Sequence, residues 1–126
     1  MKKIFIIFVI FLNFSFSNCN YCESLEEILK HKSVLNFLHL EEKNRNILYL
    51  EKNEYCTLNK NIFYNLKIIT LEKESLLNQK NLLIIKDIKN IDKNEYKMLL
   101  YYPIEGVYFE AIFKNSKLFN IETIEN

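Results

Sequence analysis

The 126-residue chain contains one glycine, one proline and no tryptophan. P-loops and Rossmann turns need several glycines, where the backbone approaches phosphate closely or takes positive φ. Gly106 alone builds neither, so nucleotide-binding classes are set aside. A basic excess is missing as well. The formal net charge is +1, and without Lys2 and Lys3 it becomes −1, which offers nothing to attract a nucleic-acid backbone. The abundance of Lys, Asn, Ile, Phe and Tyr has the look of A+T-rich coding, so lysine number carries no nucleic-acid meaning. What the chain does have is 49% hydrophobic residues and 14% aromatic residues, enough for the packed core of one small domain.

Residues 1–17, MKKIFIIFVIFLNFSFS, pair a cationic start with a short apolar run and then small side chains. This is the layout of a secretory signal, with Ser15 and Ser17 at −3 and −1 of a cut before Asn18. The run is short of the ~20 apolar residues of a membrane span. The expected organisation is a signal peptide over 1–17 and a single α+β domain over 18–126, exported to the periplasm or secreted. A rival takes the apolar run as a buried strand leading into Cys19-Asn20-Tyr21-Cys22 and a helical SLEEILK. Locally this resembles thioredoxin-like proteins, whose helix N-terminus activates the first thiol. That likeness implies a thiol-disulfide protein using Cys19 and Cys22, with Pro103 as the proline facing them. The run is about twice the typical ~5–6 residues of a strand and begins at the initiator methionine. The targeting reading is therefore preferred.

An exported chain meets an oxidising compartment, so its three cysteines should pair as far as they can. Cys22 with Cys56 is the expected bridge. Cys19 is then free or lipidated: Phe16-Ser17-Asn18-Cys19 resembles a bacterial lipoprotein cleavage box, with Phe where Leu is usual and Asn before the cysteine. A lipid on Cys19 is the one route to a membrane that the sequence offers.

Along the mature chain, Ser24-Leu25-Glu26-Glu27 reads as a capping box opening a helix from Ser24 to Leu40. Glu41–Asn46 reads as a solvated loop. Strands are expected over Ile47–Glu51, Glu54–Leu58, Ile62–Leu71 with a break at Asn65, Leu82–Ile88, Tyr96–Tyr102, Val107–Phe113 and Leu118–Ile124. Ser75–Asn81 is a helical turn or a loop. No second long helix offers a parallel crossover, so hairpins are expected. A turn at Lys114–Lys117 should pair Phe113 with Leu118 and Ala111 with Asn120. The fold expected is one N-terminal helix on a curved, mostly antiparallel sheet of five to seven strands. In element order this is similar in outline to cystatin-like or NTF2-like small domains.

Catalytic chemistry is thin. His31 and His39 are eight apart, where a metal pair on one helix face wants about four. A Cys–His nucleophile needs Cys22 or Cys56, which the expected bridge consumes. Glu110, flanked by Tyr108 and Ile112, has the surroundings of a general acid, yet the wet face of a strand explains it better. No catalytic residue, metal or cofactor is expected. Tyrosine is the more suggestive feature: Tyr101, Tyr102 and Tyr108 gather around the Pro103–Gly106 turn with Glu105 between them. Tyrosines at a loop tip supply stiff contact area with a polar end. The functional expectation is a non-enzymatic binding protein, of inhibitor or immunity type, whose partner is another protein.

Overall fold

The computed structural model describes residues 21–63, 65–76 and 81–125. The expected signal peptide and Cys19 lie outside the described residues. The chain is α+β. Two helical segments, α1 over residues 21–30 and α2 over Lys32–Leu38, precede seven strands. These are β1 Ile47–Glu51, β2 Lys60–Phe63, β3 Leu66–Leu71, β4 Leu82–Asp92, β5 Glu95–Tyr102, β6 Val107–Lys114 and β7 Lys117–Glu125. Single 3-10 turns stand at Lys73–Leu76 and Pro103–Glu105.

The strands form one sheet in the order β2-β3-β1-β4-β5-β6-β7. β1 runs parallel to both β3 and β4, and the remaining pairs are antiparallel. This corrects the expected hairpin sheet and its cystatin-like or NTF2-like outline. The parallel pair arises without a helix, because β2 and β3 make their own hairpin at the sheet edge. That hairpin reverses the chain, so β3 enters beside β1 in the same direction. The chain then crosses through the 3-10 turn at Lys73–Leu76 to bring β4 to the other side of β1. Glu54–Leu58 is not a strand. Asn53 Oδ1 accepts the backbone N–H groups of Tyr55 and Cys56, both at 2.8 Å, and folds that segment into an Asx turn instead.

The single helix expected over Ser24–Leu40 is also corrected: helix begins by residue 21 and is broken at His31. His31 takes an extended conformation and its Nδ1 accepts the Ser33 N–H at 3.2 Å, which starts α2 afresh. Ser24 is no cap. It sits inside α1, 4% exposed, and its hydroxyl meets the Tyr96 hydroxyl across the core. Glu27, the supposed reciprocal partner, accepts instead from the Leu118 N–H at 3.2 Å. Tertiary partners have claimed both residues of the box.

One face of the sheet is covered by the helices. Leu25, Ile28 and Leu29 of α1 follow i, i+3, i+4 spacing and are fully buried, with Val34 and Leu38 of α2 beside them. They pack on Met98, Leu100 and Tyr102 of β5 and on Val107, Phe109, Ala111 and Phe113 of β6, each set alternating along its strand with period two. Phe37 meets Phe109 edge-on at 5.8 Å, and Tyr96 stacks on Phe113 at 5.0 Å. The β6–β7 turn is a two-residue hairpin with Asn115 and Ser116 at φ 52° and 66°. Phe113 pairs with Leu118 as expected, but Ala111 pairs with Ile121 because a bulge at Phe119 shifts the register by one.

Cys22 and Cys56 form the expected disulfide, closing a loop with a sequence separation of 34 and a Cα–Cα distance of 5.1 Å. The bridge ties the start of α1 to the irregular segment between β1 and β2, and Tyr21 packs edge-on against Tyr55 beside it. In the chain-entropy view such a bridge stabilises by roughly 4 kcal/mol. Reduction, or Cys56→Ser, is therefore expected to lower the unfolding free energy by about that amount. Urea titrations with and without reductant read the difference; superimposable midpoints contradict a stabilising role.

Candidate binding surface

The sheet face opposite the helices carries an apolar row among charged residues. Because side chains alternate, the residues between the buried ones on β4, β5 and β6 point away from α1 and α2. Cross-strand register places Ile84 opposite Tyr101, Tyr101 opposite Tyr108, and Tyr108 opposite Ile124. These four form one row across four strands. Tyr101 and Tyr108 stack with ring centroids 4.5 Å apart, and Ile124 is 44% exposed. Leu99 and Ile112 lie on the same face, both partly exposed. Glu110 is there too, with Lys97 Nζ at 3.9 Å from its carboxylate.

The four residues expected at the loop tip divide. Tyr101 and Tyr108 stand on the open face. Tyr102 does not: it is fully buried against the helices, so its expected role in surface contact is corrected. The reason is phase, since neighbouring strand residues face opposite ways and Tyr102 shares the face of Val107 and Phe109. Glu105 is half-withdrawn into a polar network that closes this end of the sheet.

Arg45 organises that network. Its Nη2 donates to Glu105 Oε2 at 2.9 Å, and its Nη1 donates to the Tyr102 hydroxyl at 3.2 Å and the Leu38 carbonyl at 3.4 Å. The Tyr102 hydroxyl donates to Asn81 Oδ1. Asn81, 5% exposed, donates in turn to the carbonyls of Ile47 at 2.8 Å and Arg45 at 3.2 Å. Gly106, at φ 65°, closes the Pro103–Glu105 turn by donating its N–H to the Pro103 carbonyl at 3.0 Å, which holds Glu105 in place. The network thus staples the end of α2, the starts of β1 and β4, and the end of β5. Burial works against the Arg45 charge, but the bonds to Glu105 and Tyr102 outweigh it and hold its pKa above the usual value. Burial likewise raises the Tyr102 pKa, and the nearby guanidinium opposes this without cancelling it.

His31 and His39 sit at opposite ends of α2 as its caps. His39 Nε2 lies 3.4 Å from Glu105, while its Nδ1 faces Glu41 at 3.6 Å and Glu42 at 4.0 Å. His39, Glu41 and Glu42 are the one ligand-like cluster among the described residues. They are exposed or half-exposed groups beside an arginine, the setting of an ion-pair loop.

Sequence reading missed Arg45 and Asn81. Arg45 left a trace, being the single arginine in a chain otherwise using lysine. Asn81 left none, since asparagine is common throughout. No family model, curated protein or solved structure matches the chain.

Tyr102 gives a test of the network. Its phenol is neutral when folded and ionises near pH 10 when unfolded. Its raised folded-state pKa leaves stability unaffected below that pH and erodes it as pH rises further, because the unfolded chain ionises first. Tyr102→Phe should cost roughly 1–3 kcal/mol at neutral pH, as Asn81 and Arg45 lose a buried partner. It should also flatten the alkaline decline of urea midpoints. A decline of unchanged steepness places Tyr102 outside the core.

Proposed function

We propose that the chain is an exported, non-enzymatic protein that binds another protein through the open sheet face around Tyr101 and Tyr108. The observation that carries this reading is the row Ile84–Tyr101–Tyr108–Ile124, apolar and aromatic, on the face that neither helix covers. Monomeric proteins keep such contiguous surface small unless it is used, and stacked tyrosines are suited to interface centres. Arg45, Tyr102 and Asn81 bond one another on the helix side of the sheet, away from that face. Export is supported by the signal-like sequence of residues 1–17 and by a structural disulfide, at home in an oxidising compartment. Among the described residues no helix is long and apolar enough to cross a membrane. An inhibitor or immunity-type role fits a small rigid sheet with one prepared face.

The thiol-disulfide alternative is disfavoured by two placements. The Cys22 sulfur is bonded to Cys56, so it is not free to pair with Cys19. Pro103 follows the end of β5, whereas Tyr21, next to Cys22, packs on Tyr96 at its start. The proline therefore lies roughly 20 Å from the bridge, at ~3.3 Å per strand residue.

The test is capture from the native compartment with the wild-type chain and with Tyr101→Ser/Tyr108→Ser. Both changes are on the open face, so circular dichroism should be unaltered, while recovery of the specific partner falls about tenfold or more. Equal recovery by both chains, or no partner together with hydrolysis on a simple substrate panel, removes the reading. Intact mass of the natural product shows in the same preparation whether residues 1–17 are gone and whether Cys19 carries acyl chains.

A further inference from the structure

The two edges of the sheet are built differently. β2 is four residues long, and Lys60 at its start is paired with Glu26 at 3.0 Å, the short charged form that discourages strand addition. β7 is nine residues long, with Phe119 64% exposed. Beside it runs a groove of about 510 Å³ whose walls include Glu27, Lys30 and His31 on the helix side and Leu118 and Ile121 on the strand.

The charges on β7 are also mismatched within the chain. Lys117 stands opposite Lys114, and Glu122 opposite Glu110, like charge against like charge. The β6 members are answered from β5: Lys114 by Glu95 at 3.7 Å and Glu110 by Lys97 at 3.9 Å. Among the described residues, Lys117 and Glu122 have no ion-pair partner. The edge thus carries one cation and one anion on the open face, each facing its own sign on one side and, among the described residues, no ion-pair partner on the other.

We propose that β7 is completed by β7 of a second copy, running antiparallel across a two-fold axis at Asn120. Side chains opposite one another in a ladder must share a face, which restricts the registers available. Phe119 is already the extra residue where β7 pairs with β6, and it keeps that place in the new pairing. Ile121 then meets Leu118 of the second copy on the helix side, extending the core over the groove. Glu122 meets Lys117 of the second copy on the open side, twice by symmetry. An axis at Glu122 instead would set two carboxylates against each other. The Leu118 N–H, now held by Glu27, exchanges that bond for one in the ladder. Such a contact is isologous and closed, so it stops at a dimer. It joins two sheets into one and places the two open faces side by side.

Sedimentation velocity of the natural chain over a concentration series, with Lys117→Glu and Glu122→Lys, tests this. Each single change relieves a like-charge pair inside the monomer, so both chains should fold at least as stably as the parent. Each should weaken self-association about tenfold or more, since both symmetry-related contacts become repulsive. An equimolar mixture of the two should restore a dimer containing one of each, and the double variant should dimerise by itself. A parent chain monomeric throughout the series, association indifferent to the charges, or failure of the mixture to restore it overturns the proposal. So does a parent that stays monomeric and instead takes up a strand from another protein at this edge. These outcomes are read separately from the capture experiment, because Lys117 and Glu122 are on β7 whereas Tyr101 and Tyr108 are on β5 and β6.

Discussion

Packing of α1 and α2 against one face of β5 and β6 fixes nearly everything else in the molecule. Once Phe109, Phe113 and Tyr102 are set against Leu25, Ile28 and Leu38, strand alternation leaves no choice about where their neighbours point. Tyr101 and Tyr108 must face the other way, and so must Ile84 through its register with Tyr101. The disulfide between Cys22 and Cys56 secures the start of α1 on that covered face. In so small a domain the cross-link supplements a core that two short helices cannot make large.

The polar chemistry follows from the same packing. Tyr102 brings a hydroxyl into the interior, where an unbonded polar group is costly. Asn81 and Arg45 satisfy it, and by doing so clamp the loop after α2 to the starts of β1 and β4. Among the described residues no buried side-chain nitrogen or oxygen lacks a partner. A fully satisfied network rigidifies and holds position. Here it supports the Pro103–Glu105 turn and, through β5, the row of side chains on the far side of the sheet.

How much of this was legible in the sequence depended on distance along the chain. The C-terminal strands were legible because Val107, Phe109, Ala111 and Phe113 alternate cleanly, and Asn115-Ser116 makes a short local turn. The parallel pairing of β1 was not, since hydrophobic period says nothing of strand order and the reversing hairpin at Asn65 looked like a mere interruption. Ser24 and Glu27 have the spacing of a cap, and only their partners Tyr96 and Leu118, far along the chain, show otherwise. The bulge at Phe119 has no glycine or other local mark. Tyr102 is legible as a core residue from its strand phase with Val107 and Phe109, although its nearness to the Pro103–Gly106 turn suggests the surface. The runs LLII and MLLYY, apolar on both parities, are the visible sign of an apolar row on the open face.

The assignment of faces is the claim on which the functional reading stands, and tyrosine nitration of the folded, disulfide-intact chain addresses it directly. Mass spectrometry with fragmentation separates the adjacent Tyr101 and Tyr102. Tyr101 and Tyr108 should be modified while the chain is folded, and Tyr102 only after unfolding. Modification of Tyr102 in the folded chain, with Tyr101 and Tyr108 spared, would mean that the helices cover the opposite face and that the binding surface described above does not exist.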